Sequence, residues 1–141
     1  MSPKKIAIIE DDNLLYTAME ILLQSRFKKE GITVEIFHFK AMAPAYHFLT
    51  SNKVDLISTD MGYPHLGGGY PVERFMGAKL IAALEEDEIN VPIVIYSANE
   101  KYLVDRELKR LEVDFPEEFV FLKNQEDGEM WMQTIISTLK K

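Results

Sequence analysis

The segment Val54–Pro64, VDLISTDMGYP, decides how the rest of the chain is read. Val54, Leu56 and Ile57 are apolar and favour extended backbone. Asp60 stands where that run stops, and Gly62 and Pro64 turn the chain. The pattern predicts a buried strand that delivers one carboxylate to a loop. Taken alone, such an aspartate is first a turn or helix-capping residue. Its company elsewhere in the chain makes it a candidate for chemistry.

Upstream, Ile6-Ala7-Ile8-Ile9 is a continuous apolar run, the kind covered on both faces in a parallel sheet. Glu10, Asp11 and Asp12 follow at its carboxyl end, where Asp12 or Asn13 is placed to cap a helix. Leu14, Ala18, Ile21 and Leu22 recur at helical spacing as far as about Lys28, and Gly31 ends that unit. Thr33 to Phe39 alternates as a second strand, and 41–51 reads as a short helix with Pro44 in its first turn.

Downstream of Asp60, residues 61–75 form a long loop containing Gly67-Gly68-Gly69. No Gly-Lys-Ser/Thr follows the glycines, so they do not make a P-loop. Met76, Leu80, Ala83 and Leu84 mark a helix, and Val91 to Tyr96 a fourth strand ending at Ser97. Pro92 sits at that strand's start, where a missing donor is tolerated. Residues 102–111 read as an amphipathic helix, and Phe119 to Leu122 as a fifth strand ending at Lys123. A last helix is predicted over about 128–139, with Trp131, Ile135 and Leu139 one turn apart. Five strands alternating with about five helices predict an α/β, doubly wound parallel sheet, in one domain over residues 1–141.

Composition narrows the class. Of 141 residues, 47% are hydrophobic and 28% charged, an ordinary globular balance. A net charge of −7 argues against nucleic acid or an anionic membrane as the main partner. The absence of Cys excludes disulfides and thiolate metal sites. The apolar run behind Lys4 and Lys5 is too short for a signal peptide or a membrane span, so a cytoplasmic protein is expected.

Four of the five strands end in a functional group: Asp11 and Asp12, Asp60, Ser97, and Lys123. In open α/β sheets ligands bind beyond the carboxyl ends of the strands, where strand order reverses. With the order 2-1-3-4-5, Asp11, Asp12 and Asp60 share one pocket. Two carboxylates about 4 Å apart repel by about 1 kcal/mol in water, and by about 4 at an effective dielectric near 20. A hard divalent cation such as Mg²⁺ offsets this, because it takes oxygen ligands and bridges carboxylates to phosphate. Lys123 adds a positive charge and Ser97 a hydroxyl donor. Asp60 then has the setting of a nucleophile for phosphoryl transfer.

These residues resemble a response-regulator receiver domain over nearly the whole chain. The matching stretches are IAIIEDD, DLISTD with Pro64 four residues on, Gly77 opening the next helix, IYSA, and FLK. The resemblance implies the flavodoxin-like fold. It implies Asp60 as phosphoacceptor, Asp11 and Asp12 as metal-binding acids, and Gly62 as donor of a backbone carbonyl to Mg²⁺. Ser97 and Lys123 would contact the phosphoryl group. A histidine kinase or histidine phosphotransfer protein is the implied donor. The output is a downstream effector protein, a further relay member or a homodimer, and the chain is not a turnover enzyme. A phosphorylation-independent adaptor is the alternative.

Four departures stand out. About nine residues are extra between Asp60 and Gly77, and Asn124 follows Lys123 where the family has Pro. Val120 occupies the position of the switch aromatic, and Glu112 to Glu118 replace an Ala-Gly-Ala-like stretch. With no side chain at Gly62, water would reach an acyl phosphate easily, which predicts a short-lived phosphoprotein. Tyr63, His65, Tyr70 and Phe75 are read as a partner-contacting patch on the extra segment.

Overall fold

The computed structural model describes residues 2–67 and 69–141, so Gly68 of the glycine run lies outside the described residues. Helices and strands follow in the order β1 (Lys4–Ile9), α1 (Asn13–Lys29), β2 (Val34–Phe39), α2 (Met42–Ser51), β3 (Leu56–Thr59), β4 (Tyr63–Pro64), β5 (Val72–Glu73), α3 (Met76–Glu86), β6 (Ile93–Ser97), α4 (Lys101–Arg110), β7 (Val120–Leu122) and α5 (Gln125–Leu139).

The main sheet is parallel with order β2-β1-β3-β6-β7, the predicted 2-1-3-4-5. β4 and β5 stand apart as a two-stranded antiparallel ribbon. The extra segment is therefore built into structure of its own. Its ladder is short, pairing Tyr63 with Glu73 and Pro64 with Val72.

Period-two alternation sends β1 side chains to both faces. Ile6 and Ile8 pack with Met19, Leu23 and Phe27 of α1 and with Trp131 and Ile135 of α5. Ala7 and Ile9 pack on the other side with Ala45 and Leu49 of α2 and Leu80 and Leu84 of α3. All four residues of Ile6–Ile9 are fully buried, which is why this strand reads as an unbroken apolar run. Each buried Ile or Leu contributes about 1.5–3 kcal/mol against exposure.

α1 ends through Gly31 at φ +70°, with Ile32 N–H returning to the Phe27 carbonyl at 2.9 Å. A residue with a side chain strains in that left-handed conformation.

α5 begins at Gln125, three residues before the predicted start. Asn124 is its N-cap, and the side-chain oxygen accepts the Asp127 N–H at 2.8 Å. Gly128, expected near the start of this helix, lies inside it, where an added Cβ would sit 2.9 Å from the Tyr96 hydroxyl.

Candidate functional site

The site is assembled by strand register. Ile9 pairs with Thr59, so the residues that leave the two strands next, Glu10 and Asp60, emerge side by side. Asp60 N–H donates to the Ile9 carbonyl (3.0 Å) and Glu10 N–H to the Phe39 carbonyl (2.9 Å). At the other edge Ser97 pairs with Leu122, and Lys123 N–H donates to the Ser97 carbonyl (2.9 Å). Lys123 then extends its amine across β6 to both acids. Nζ donates to Asp60 Oδ2 at 2.8 Å and to Glu10 Oε1 at 2.7 Å.

Each member is held from behind. Asp60 Oδ1 accepts the Met61 N–H at 2.7 Å. Glu10 Oε2 accepts the Asp12 N–H at 3.2 Å, and the Glu10 carbonyl faces His38 Nε2 at 2.7 Å. A carbonyl only accepts, so that ring nitrogen carries the proton. The His38 ring stacks on Tyr16, with centroids 3.5 Å apart. Thr59 donates its hydroxyl to the Asp60 carbonyl (2.8 Å), leaving the buried Tyr63 hydroxyl to donate to Thr59 Oγ1 (2.9 Å). Gly77 is packed against the same backbone: an added Cβ would lie 2.1 Å from the Asp60 carbonyl oxygen.

Ser97 is fully buried at the end of β6, and its Oγ accepts the Asn99 N–H at 3.0 Å. Its own hydroxyl hydrogen remains to be donated.

Glu10 is only 2% exposed. Burial, reinforced by the charge of Asp60, pushes its carboxyl up to about 7 against the opposing pull of Lys123. Burial likewise raises the Asp11 carboxyl, with Asp60 adding to it. Desolvation pulls Lys123 down, but the carboxylates of Asp60 and Glu10 outweigh it and hold the ammonium above its ordinary range.

Glu10, Asp11 and Asp60 each offer an oxygen, all within 4.8 Å of one another. The set offers hard oxygen donors suited to a divalent ion, and it differs from the expected pair of Asp11 and Asp12. Asp12 is not among the three. It is the exposed N-cap of α1, with Oδ1 accepting the Leu15 N–H at 3.1 Å. Helix capping and pocket ligation compete for one short side chain, and the helix holds it. Glu10 is not among the acids that the resemblance implies, Asp11 and Asp12. The missed signal was the strand end at Ile9, which makes Glu10 the first residue over the carboxyl edge.

The predicted aromatic patch is also corrected. Tyr63 is wholly buried and Phe75 half-buried, while His65 and Tyr70 are exposed. Leu66, Tyr70 and Val72 are the large apolar groups that the ribbon exposes. Gly62 is not open either: at the position of its missing Cβ, the Arg74 carbonyl oxygen lies 3.5 Å away and Val72 Cγ1 3.6 Å.

A five-stranded 2-1-3-4-5 sheet with acids and a lysine converging on its carboxyl edge defines the flavodoxin-like doubly wound class. Within that class the chain has the receiver fold. It superposes on the receiver domain of a Francisella response regulator with a TM-score of 0.63 at 19% identity, covering 97% of this chain and 98% of that one. A CheY-like receiver domain protein from Methanospirillum hungatei gives 0.66 at 14% identity, over 99% and 96%. The phosphorylated cyanobacterial phytochrome response regulator RcpA gives 0.63 at 17%, over 96% and 91%. No protein-family model and no curated protein sequence matches the chain. No helix among the described residues is long and apolar enough to cross a membrane.

Proposed function

We propose that the chain is a response-regulator receiver that takes a phosphoryl group on Asp60 and signals by docking to a partner. The single observation that carries this reading is the two-armed contact of Lys123 with Asp60 and Glu10. A half-buried ammonium shared between two carboxylates leaves a surplus of negative charge, which a divalent cation offsets, and it puts a cation beside the reactive oxygen. Glu10, Asp11 and Asp60 have the donor chemistry for Mg²⁺, with the Gly62 carbonyl as a further oxygen. Bound there, Mg²⁺ supplies neutralisation of the incoming phosphoryl charge.

The rest falls to the chain's own groups. An Asp60 carboxylate oxygen attacks phosphorus in a donor phosphohistidine. The P–N bond breaks, the acyl P–O bond forms, and the departing imidazole takes a proton from solvent. Lys123, already within hydrogen-bond distance of Asp60, turns to the phosphoryl oxygens, and Ser97 donates its free hydroxyl hydrogen to another. The donor is a histidine kinase or histidine phosphotransfer protein and the reader is an effector protein. The chain acts stoichiometrically, as a carrier of the group.

Incubation with Mg²⁺ and a small-molecule phosphodonor, followed by intact mass, tests this. Wild type gains one phosphoryl group and Asp60→Asn gains none. An unshifted wild type, or a shifted variant, overturns the reading.

Val120 favours a second reading, as a phosphorylation-independent binding module. It is buried among Ile95, Val104 and Leu108, where the resemblance places a movable aromatic. A partner that binds wild type and Asp60→Asn equally, with and without phosphodonor, decides for it.

A further inference from the structure

The extra segment brings a cation to the rim of the site. Arg74 directly follows β5, and its backbone lies against Gly62, two residues past Asp60. Its Nε donates to Asn99 Oδ1 at 3.3 Å. Asn99 in turn donates from Nδ2 to Ser97 Oγ, also at 3.3 Å. The guanidinium is thus two hydrogen bonds from the hydroxyl at the end of β6, and the Arg74 carbonyl oxygen lies 3.5 Å from where a Cβ at position 62 would stand. Its anchor on Asn99 is a long contact to a neutral oxygen, and the guanidinium carbon stands over the Phe75 ring, 5.2 Å from the centroid. A phosphoryl group offers a charged, bidentate acceptor instead, and guanidinium–phosphate pairs are roughly twice as strong as neutral hydrogen bonds.

We infer that Arg74 is a phosphoryl-contacting residue supplied by the inserted ribbon: once Asp60 carries the group, the guanidinium leaves Asn99 for the phosphoryl oxygens. The inference rests on the reading of Asp60 as phosphoacceptor. Because Arg74 is covalently joined to β5, its transfer changes the setting of the ribbon that exposes Tyr70 and Val72.

The test uses beryllofluoride with Mg²⁺ as the phosphoryl mimic. Its affinity is measured for wild type, Arg74→Ala, Arg74→Lys and Lys109→Ala. The last removes the same charge from the exposed α4 pair with Asp105, away from the site. In parallel, the ¹⁵N–¹H signal of Arg74 Nε is followed in wild type. Loss of the guanidinium weakens the mimic about tenfold, the size of one charge-assisted hydrogen bond. Arg74→Lys recovers part of this, Lys109→Ala is unaffected, and the Nε signal moves on binding. Equal affinity of wild type and Arg74→Ala with an unmoved Nε signal overturns the role of Arg74 and leaves the phosphoacceptor reading standing. A wild type that neither binds the mimic nor gains phosphoryl mass overturns both.

Discussion

At the scale of single residues, Glu10 and Gly77 do most to shape the site. The folded chain holds the Glu10 proton up to about pH 7, against an ordinary value of 4.5, so between those values the folded state binds a proton that the unfolded state has lost. Stability from this group therefore falls as pH rises from 4.5 to 7, and the deficit is complete above that window. It is on the order of 3 kcal/mol. Glu10→Gln should raise the melting temperature of the metal-free protein at pH 7.5, flatten its fall between pH 5 and 7.5, and weaken Mg²⁺ binding. Thermal melts across pH check the first two and a Mg²⁺ titration the third. Gly77 has no room for a methyl group, since the tightest clash, 2.1 Å, is with the Asp60 carbonyl oxygen, which is backbone and cannot swing aside. Gly77→Ala should cost about 3 kcal/mol in denaturant unfolding, at the upper end of overpacking costs, and slow phosphoryl acceptance by displacing Asp60.

At the scale of elements, the sequence was most readable where periodicity and burial agree. The β1 and β3 strands were legible because both their faces are covered, and the carboxyl-edge positions of Asp60, Ser97 and Lys123 followed from the ends of apolar runs. Boundaries were harder. Asp12 looks like a pocket residue by position, yet it spends its side chain on the first turn of α1, as Asn124 does on the first turn of α5. That choice depends on where each strand stops, which the residue types do not state. Tyr63 is read from sequence as part of a partner-contacting patch on the extra segment. It is buried because the ribbon folds it back onto Thr59. Asp12→Ala should lose about 1 kcal/mol of stability, as N-cap removal does, with no change in Mg²⁺ affinity, whereas Asp11→Asn should weaken that affinity. Equal loss of metal affinity in both variants would return Asp12 to the ligand set.

For the whole molecule, a doubly wound sheet collects groups from the first, middle and last thirds of the chain onto one edge. Binding there should stabilise the entire fold. A Mg²⁺ concentration 100-fold above its dissociation constant adds about 2.7 kcal/mol, enough to raise the melting temperature by several degrees in a domain of this size. The increment should be larger at pH 7.5 than at pH 5.5, where the Glu10 proton must first be displaced. Calorimetry at the two pH values distinguishes this from a pH-independent salt effect. One internal contact gives the molecule a gauge of its own state. Trp131, the single tryptophan, donates its indole N–H to Ser58 two residues before Asp60, and it lies stacked on Tyr96 next to Ser97. Its emission is therefore wired to both strand tips, and a stopped-flow trace of native fluorescence can time their rearrangement without any attached dye.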